Sequence, residues 1–247
     1  EMLYEETPDL KTQFVIVPSM DDAVSEPVFP QPPLEDALPK GGKVMKSFAE
    51  TDDTPFGSLC LNRIESIGRS RKDGKNHHRR IHLVSNPATI TVNEVTIGFT
   101  STDSFLHLST ESVNQSLPPG TRLARLSQHV LQQQSYYPVY PPPMGGGREL
   151  NLDVTQMDKY CIPIKPDVLI LPSRLTPMAM NLNRNSNNES ESGTVVVNPG
   201  LLVKGTSGGT FAIMDIHPMK KDDLNVDSEE ERKHLIQDRI KVEVRRI

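Results

Sequence analysis

The sequence contains no tryptophan, and only five tyrosines and seven phenylalanines occur among its 247 residues. Proteins that bind single-stranded nucleic acid commonly stack bases on aromatic side chains, so this scarcity argues against such a platform. The net charge of −5 and the pI of about 5.8 also exclude strong electrostatic binding of nucleic acid by the whole surface. A local basic patch is still compatible with these values.

Cysteine is almost absent as well, because Cys60 and Cys161 are the only two in the chain. Two thiols cannot form an all-cysteine zinc site, and they do not indicate a disulfide framework, so the composition fits a reducing compartment. The sequence also lacks an apolar run near the roughly 20 residues that a membrane-spanning helix needs. No secretory signal is visible, and we therefore expect no membrane partner.

Apolar residues are scarce for a chain of this length, at 35% of the sequence with a mean hydropathy of −0.44. We expect one large domain with a real core, interrupted by polar segments that contribute little to it. Residues 36–80 are predicted to be a disordered insert, whereas 181–193 and 218–238 are predicted to be mobile loops. The chain begins at Glu1 rather than at methionine, and we expect it to be a fragment of a longer protein.

The predicted insert ends in a run rich in lysine and arginine, which includes Arg63, Arg71 and Arg80. Short basic runs serve as nuclear import signals or contact nucleic acid. An expanded, solvated segment explains the composition equally well, and the sequence leaves both interpretations open.

Apolar periodicity predicts a mixed α/β fold. Short runs rich in β-branched residues predict strands at 12–17, 81–84, 89–92, 95–99, 168–171, 195–197, 210–214 and 240–244. Asn93-Glu94 is typical of a tight turn and predicts a hairpin between two of these strands. A helix predicted over 121–134 carries an apolar stripe made of Leu123, Leu126, Val130 and Leu131.

The glycine-rich stretch 195–211 is the most distinctive part of the sequence. A β-branched strand runs into Asn198-Pro199-Gly200, and Gly205 and Gly208-Gly209 precede a second strand. A phosphate-binding loop requires Gly-x-x-x-x-Gly-Lys followed by a helix, but Thr206 occupies the lysine position and a strand follows. We therefore interpret the stretch as a structural turn that joins two strands, with glycines that allow a close backbone approach.

Two pairs of residues carry the chemistry of metal ligands. Asp21-Asp22 follows the first predicted strand, at the kind of strand end where an α/β fold places its chemistry. Asp103 and His107 are four residues apart on a short helix, predicted to be capped by Ser101 or Thr102, and could ligate one metal ion. A solvated turn at Asp21-Asp22 and a helix-dipole role for Asp103 are the favoured interpretations.

Three tyrosines lie among prolines at Tyr136, Tyr137 and Tyr140. Because a tyrosine is apolar along its ring and polar at its tip, such a rigid ledge either covers the core or faces a partner.

Several stretches occur in an order that resembles one known family. In sequence order they are Val15-Ile16-Val17-Pro18-Ser19 with Pro27-Val28-Phe29-Pro30-Gln31-Pro32-Pro33, Gly98-Phe99-Thr100-Ser101-Thr102-Asp103 with His107-Leu108, Ser135-Tyr136-Tyr137-Pro138-Val139-Tyr140-Pro141, Pro166-Asp167-Val168-Leu169-Ile170-Leu171-Pro172-Ser173, and the glycine-rich stretch from Asn198 to Phe211. Together they resemble the B subunits, or accessory subunits, of eukaryotic DNA polymerase alpha–primase. The resemblance covers most of the chain, with gaps at about 36–80, 181–193 and 218–238.

The resemblance implies an α/β fold over residues 1–247, namely the C-terminal part of a calcineurin-like metallophosphoesterase-type sandwich of two sheets flanked by helices. Active members of that fold hold two metal ions at strand ends, with an Asn-His pair after one strand and a His-x-His after a later one. Here Pro18-Ser19-Met20-Asp21 and Leu171-Pro172-Ser173-Arg174 occupy those strand ends. The resemblance therefore implies a catalytically inactive domain with no metal and no cofactor.

The same resemblance implies a nuclear, non-catalytic subunit that scaffolds the C-terminal domain of the DNA polymerase alpha catalytic subunit during RNA–DNA primer synthesis. Primase subunits and DNA would then be indirect partners. Two alternatives stay open: an active metal-dependent phosphoesterase, and a module that binds nucleic acid through the basic run at 63–80. The sequence does not identify the partner-binding residues.

Overall fold

The computed structural model describes residues 12–22, 28–34, 81–113, 120–143, 150–182, 193–218 and 236–247. The chain divides into two compact units. The first comprises Glu1–Pro27 and Gln31–Asn86, and the second comprises Val28–Pro30 and Pro87–Ile247. The insert predicted at 36–80, with its basic run, lies outside the described residues.

A pair of short parallel strands forms the regular part of the first unit. β1 (Phe14–Ile16) pairs with β2 (Ile81–Leu83), and both strands fall within the ranges predicted from the sequence. The Val84 N–H donates to the Ile16 carbonyl at 3.1 Å and extends the pairing by one bond. Pro18 follows two residues after β1, and because it has no N–H it cannot continue the ladder.

A buried amide pair joins two loops of the first unit. Gln31 and Asn86 exchange backbone hydrogen bonds of 2.7 and 3.0 Å, and Asn86 Nδ2 donates to Gln31 Oε1 at 2.8 Å. Both residues are almost fully buried. Leaving such amides unpaired would cost about 1–3 kcal/mol each, so the mutual pairing stabilises this junction.

A five-stranded sheet with the order β3-β4-β5-β7-β6 forms the centre of the second unit. Its strands are β3 (Ala88–Val92), β4 (Val95–Phe99), β5 (Val168–Ile170), β6 (Met178–Leu182) and β7 (Thr194–Asn198). The central strands β4, β5 and β7 are parallel, and β3 and β6 pair antiparallel with their neighbours. Every residue of β7 is buried, as expected for a strand that is covered on both faces.

The predicted hairpin between β3 and β4 is confirmed. Val92 pairs with Val95 across the two-residue turn Asn93-Glu94, and Asn93 has a positive φ of 55°. Asparagine tolerates this left-handed region better than most residues, which suits the tight turns that match the twist of antiparallel strands.

Two helices cover one face of the sheet. They are α1 (Ser104–Glu111) and α2 (Arg122–Gln132), and α2 confirms the predicted amphipathic helix. Thr121 caps α2, because its Oγ1 accepts the backbone N–H of Ala124 at 3.2 Å. The apolar cluster on this face comprises Phe105, Leu126, Val130, Tyr136, Ile162, Leu169, Leu171 and Val196.

A two-stranded antiparallel ribbon covers the opposite face. It consists of β10 (Thr210–Ile216) and β11 (Ile240–Arg246). Its inward residues Ala212, Met214, Ile240 and Val242 pack on the second buried cluster, which comprises Val95, Val168, Val195, Val197 and Ile236. Because neighbouring residues of β5 and β7 belong to different clusters, the side chains alternate between the two faces, and the unit has helix, sheet and ribbon layers.

The glycine-rich stretch leads from the sheet to the ribbon. It contains a small hairpin of β8 (Val203–Lys204) and β9 (Ser207–Gly208), which the sequence analysis did not predict. The predicted turn therefore joins two strands that belong to different sheets.

Two of the predicted loops are shorter than expected. The prediction of a loop over 181–193 is wrong for Asn181 and Leu182, because strand β6 continues to Leu182, which pairs with Thr194 of β7. Methionine, alanine and asparagine are weak strand formers, so the sequence pattern missed a strand that forms because it pairs with the buried β7. Residues 183–192 lie outside the described residues.

The prediction of a loop over 218–238 is wrong for its last three residues. A 3-10 helix spans Ile236–Asp238, and the Ile236 side chain is fully buried. Burial of this one apolar side chain therefore holds residues 236–238 against the core. Residues 219–235 lie outside the described residues.

Aromatic side chains form a second packing centre on the helical side. Phe29 is fully buried, and its ring centroid lies 5.8 Å from that of Tyr137 and 5.9 Å from that of Tyr160, at the end of the 3-10 helix Val154–Tyr160. Tyr136 and Tyr137 therefore belong to the core, whereas Tyr140 is 77% exposed.

No helix within the described ranges combines the length and apolarity needed to span a bilayer.

Candidate functional site

Three parallel strands end at the same edge of the sheet and bring polar residues together there. β4 leads into Thr100 and Asp103, β5 leads into Ser173, and β7 ends at Asn198. We call these four residues the strand-end edge. Open α/β sheets bind their ligands at the carboxyl ends of their strands, so a ligand-binding or catalytic site is expected at this edge.

The Asn198 side chain uses all of its hydrogen-bonding capacity within the chain. Its Oδ1 accepts the backbone N–H groups of Ser173 and Gly200, both at 2.9 Å. Its Nδ2 donates to the carbonyls of Leu175 at 3.3 Å and Thr176 at 3.1 Å. An amide offers two acceptor positions and two donors, so this fully buried side chain keeps none for a ligand.

The Asp103 carboxylate is also bound by backbone. Oδ1 accepts the Leu106 N–H at 3.0 Å and caps α1, while Oδ2 accepts the Arg174 N–H at 2.9 Å from the loop after β5. The prediction that Ser101 or Thr102 caps this helix is therefore wrong. The carboxylate prevails because it is a stronger acceptor and its second oxygen reaches the neighbouring loop.

The His107 side chain contacts the Tyr137 phenol. Its Nδ1 lies 2.7 Å from Tyr137 Oη, and the two buried rings meet edge to face at 5.7 Å. Burial raises the pKa of Tyr137, and the negative charge of Glu111 raises it further, so the phenol stays protonated and available as a donor. Asp103 and His107 thus bind different groups, which supports a structural role for each.

The Asp21-Asp22 pair in the first unit belongs to a tight turn, as favoured from the sequence. Asp22 Oδ2 accepts the Ser19 N–H at 2.8 Å, and Ser19 Oγ accepts the Asp21 N–H at 3.2 Å. The Asp22 N–H closes the turn on the Ser19 carbonyl at 3.1 Å. Local side-chain bonds of this kind are the ordinary reason for aspartate and serine in turns.

The glycines of the 195–211 stretch serve close backbone packing, as predicted. A Cβ at Gly209 would overlap the Leu201 carbonyl oxygen, and a Cβ at Gly208 would lie 2.8 Å from the Ile247 carbonyl oxygen. Gly205 has a positive φ of 63° in the β8–β9 turn. The stretch contains no helix after Gly205, so it lacks the helix N-terminus that a phosphate cradle requires.

Within the ranges that the structure describes, no three His, Cys, Asp or Glu side chains are grouped so that they could hold a metal ion. A cavity of about 310 Å³ lies elsewhere, between the end of α2 and β6, and its lining includes Leu131, Ile162, Lys165 and Leu182. Neither finding places a catalytic constellation at the strand-end edge.

Sequence reasoning missed the role of Asn198. The sequence indicated only that Asn198-Pro199-Gly200 ends a strand, whereas the structure shows that the side chain joins two loops, the one after β5 and the one after β7. The available signal was a polar residue at the end of a wholly apolar, β-branched run, since a buried amide there must find partners.

Comparison with known proteins agrees with the motifs. The family model for the B subunit of DNA polymerase alpha/epsilon matches residues 2–180. A Mus musculus protein is 33% identical over 201 residues, which are 81% of this chain and 26% of the relative. A Schizosaccharomyces pombe protein is 34% identical over 143 residues, which are 56% of this chain and 23% of the relative.

Both relatives are named as the B subunit of DNA polymerase alpha, as is a Rattus norvegicus protein that is 32% identical over 81% of this chain. The chain spans 26% of the length of the mouse and rat relatives. Since the family match covers more than half of the sequence, and includes the residues of the strand-end edge up to Ser173, the chain belongs to the DNA polymerase alpha/epsilon B-subunit family.

Proposed function

We propose that this chain is part of a non-catalytic accessory subunit of the DNA polymerase alpha–primase complex in the nucleus. In this role it scaffolds the C-terminal domain of the catalytic subunit during RNA–DNA primer synthesis, when DNA replication begins. Family membership supports an accessory subunit of DNA polymerase alpha, because the B subunit is not the catalytic subunit.

The proposal includes a fold, namely the C-terminal part of a metallophosphoesterase-type sandwich over residues 1–247. The layering of the second unit supports it, because a five-stranded sheet carries helices on one face and a strand ribbon on the other. The parallel order of β4, β5 and β7 supports it as well, since it gathers three strand ends at one edge.

The observation that carries the proposal is the closure of the strand-end edge by the chain's own backbone. Two-metal hydrolysis requires carboxylate, amide and imidazole groups that are free to hold cations on either side of a bridging water. At this edge the Asn198 amide and the Asp103 carboxylate hold the loops after β5 and β7 instead. An edge stabilised in this way suits a rigid docking body better than an enzyme.

A binding experiment tests the scaffold role. The chain is immobilised and mixed with the purified C-terminal domain of the DNA polymerase alpha catalytic subunit, and we expect stoichiometric retention. The matched control is the catalytic subunit without that domain, which should pass unretained. Absence of retention of the C-terminal domain contradicts the proposal.

The two alternative functions are tested with the same preparation. Hydrolysis of bis(p-nitrophenyl) phosphate that requires Mn²⁺ and stops on chelation would establish a phosphoesterase. Salt-sensitive binding of DNA that is lost when residues 63–80 are deleted would establish a nucleic-acid module. The scaffold proposal expects neither result.

A further inference from the structure

Strand β6 forms one edge of the five-stranded sheet. Within the described part of the chain it pairs with β7 alone, in an unbroken register over Met178–Leu182. Natural edge strands are usually protected against further pairing by a charged residue, a proline or a bulge. β6 contains no charged residue and no proline, and its register has no bulge. The edge is therefore able to accept another strand.

The hydrogen bonds of β7 show which of its residues bond to β6. The Val195 N–H donates to the Asp167 carbonyl at 2.8 Å, and the Val197 carbonyl accepts the Leu171 N–H at 2.9 Å. Asp167 and Leu171 flank β5, so both valines bond toward β5. Because successive residues of a strand direct their N–H and C=O groups to opposite sides, Val196 bonds toward β6.

Two residues of β6 therefore direct their backbone groups away from the sheet. Val196 is the register partner of Met180, so Met180 bonds toward β7. Its neighbours Ala179 and Asn181 point the other way, and both are exposed. Within the described residues, neither takes part in a backbone hydrogen bond beyond the strand ladders. Their N–H donors and carbonyl acceptors are thus available to an added strand.

A cavity of about 310 Å³ adjoins the same edge. Its lining includes Asn181 and Leu182 from the end of β6, together with Gln128, Leu131 and Gln132 of α2. Leu182 packs against the apolar cluster on the helical face of the sheet. Directly opposed residues of paired strands place their side chains on the same face, so a residue opposite Leu182 would direct its side chain toward this cavity. Ligand pockets begin at about this volume, which leaves room for one large side chain.

The lining of the cavity indicates which side chain it accepts. Its buried members, Ile162 and Pro166, are apolar, whereas three glutamines from α2 and the residues after it are exposed. Among the described lining residues, Lys165 is the one that carries a charge. Such a site favours an apolar side chain surrounded by polar contacts, and it disfavours a basic residue beside it.

We propose that β6 binds an extended peptide segment of a partner protein by strand addition. The backbone of the segment pairs with Ala179 and Asn181, and a large apolar side chain opposite Leu182 fills the cavity, with no lysine or arginine beside it. In strand addition, backbone hydrogen bonds supply affinity and pockets for alternate side chains supply specificity. The edge of β6 and the adjoining cavity provide both.

Interface size disfavours a second copy of this chain as the occupant. Pairing β6 with β6 of another copy would join only five residues from each strand. A stable interface takes roughly 20–30 residues from each side. A peptide segment needs no such area, because it can bind through a few backbone bonds and one anchoring side chain.

The test selects ligands for the unmodified chain from a phage-displayed library of random linear decapeptides. Enriched peptides should share one large apolar residue at a fixed position and should lack lysine and arginine next to it. Binding of a selected peptide should slow amide hydrogen exchange at Ala179 and Asn181 by at least about tenfold. No polymerase subunit is present, so the result is independent of the scaffold role.

Two pairs of variants, measured by calorimetry with the selected peptide, separate the backbone contact from the cavity. Ala179→Pro should bind at least about tenfold more weakly, because it removes an outward N–H, while Thr91→Pro, at an exposed position of the other edge strand β3, should bind within about twofold of the unmodified chain. Gln132→Trp, which narrows the cavity, should also bind at least about tenfold more weakly. The neighbouring Gln133→Trp, outside the cavity lining, should bind within about twofold.

Proline is tolerated in an edge strand where its nitrogen faces solvent, so Ala179→Pro should keep the fold, which urea unfolding checks. N-methylation of the peptide tests the same contact without altering the chain. It should abolish binding at the alternate peptide residues whose N–H faces β6 and be tolerated at the residues between them.

Four outcomes would overturn the inference. The library may enrich no peptide, or the selected peptides may bind Ala179→Pro as tightly as the unmodified chain and tolerate N-methylation at every residue. Unchanged binding by Gln132→Trp would exclude the cavity from the site. Dimerisation in sedimentation experiments that Ala179→Pro abolishes would assign the edge to a second copy.

Discussion

Asn198 Oδ1 accepts the backbone N–H of Ser173 at 2.9 Å and thereby joins the ends of two neighbouring parallel strands, β7 and β5. Both residues are almost fully buried. Parallel strands are not connected by a turn at this edge, so a side chain must satisfy the backbone groups that the ladder no longer pairs. One buried amide performs that role here.

Replacing Asn198 by aspartate should destabilise the chain strongly. The substitution removes the two Nδ2 donors and places a carboxylate against the carbonyls of Leu175 and Thr176. We expect the free energy of unfolding to fall by about 3 kcal/mol or more, because two partly buried carbonyls lose their donor and a charge is placed at the fully buried position 198. Urea unfolding measures the change. The exposed Asn181→Asp serves as the control and should change it by less than about 0.5 kcal/mol.

Two glycines in one hairpin region should respond differently to alanine. A Cβ at Gly209 would overlap the Leu201 carbonyl oxygen, which is backbone and cannot move aside, whereas a Cβ at Gly205 would meet nothing within 4 Å. We expect Gly209→Ala to lower the free energy of unfolding by about 2 kcal/mol or more, through overpacking. Gly205→Ala should cost about 1 kcal/mol, from its positive φ alone. Equal effects of the two substitutions in thermal or urea unfolding would show that Gly209 does not lie close to the Leu201 carbonyl.

Gly98 and Tyr136 should be energetically coupled. A Cβ at Gly98 would overlap Tyr136 Oη, which hydrogen-bonds Thr89 Oγ1 at 2.6 Å. We expect Gly98→Ala to lower the free energy of unfolding by about 1 kcal/mol less in a chain that also carries Tyr136→Phe, because phenylalanine lacks the overlapping oxygen. A double-mutant cycle from urea unfolding measures the coupling, and purely additive effects would refute the predicted overlap.

Stability should decline in alkaline solution partly through Tyr137. Burial raises its pKa above the ordinary value of 10.0, so the folded chain retains the phenolic proton after the unfolded chain has lost it. Its contribution to stability is therefore fully present below pH 10.0 and falls as the pH rises further, by up to about 1.4 kcal/mol per pH unit.

Urea unfolding between pH 8 and about pH 11 tests this pH dependence. Tyr137→Phe should flatten the alkaline decline, while Tyr140→Phe, at an exposed tyrosine, should leave it as steep as in the unmodified chain. A slope that does not change in Tyr137→Phe would exclude Tyr137 as its source.

Much of the fold could be predicted because its signals are local. The β-branched runs, the Asn93-Glu94 turn and the apolar stripe of α2 each require only neighbouring residues, and all three were found where expected. β6 could not be predicted in this way, because Met178–Leu182 has weak strand propensity and becomes a strand only by pairing with β7.

The candidate site was harder to predict than the strands that position it. The composition of the strand ends indicated which metal-binding residues are missing, but not what the remaining polar side chains do. Asp103 reaches Arg174 across 71 positions of sequence, and Asn198 reaches Ser173 across 25. Contacts of that range depend on the parallel strand order, which periodicity does not reveal.

The most direct test of the closed strand-end edge is a titration with Mn²⁺ followed by electron paramagnetic resonance, which counts the free ion. Because backbone already occupies the Asn198 amide and the Asp103 carboxylate, the free Mn²⁺ signal should match that of a protein-free buffer control at every step. Tight uptake of two ions per chain, lost in Asp103→Ala and accompanied by phosphodiester hydrolysis that a chelator abolishes, would contradict the account.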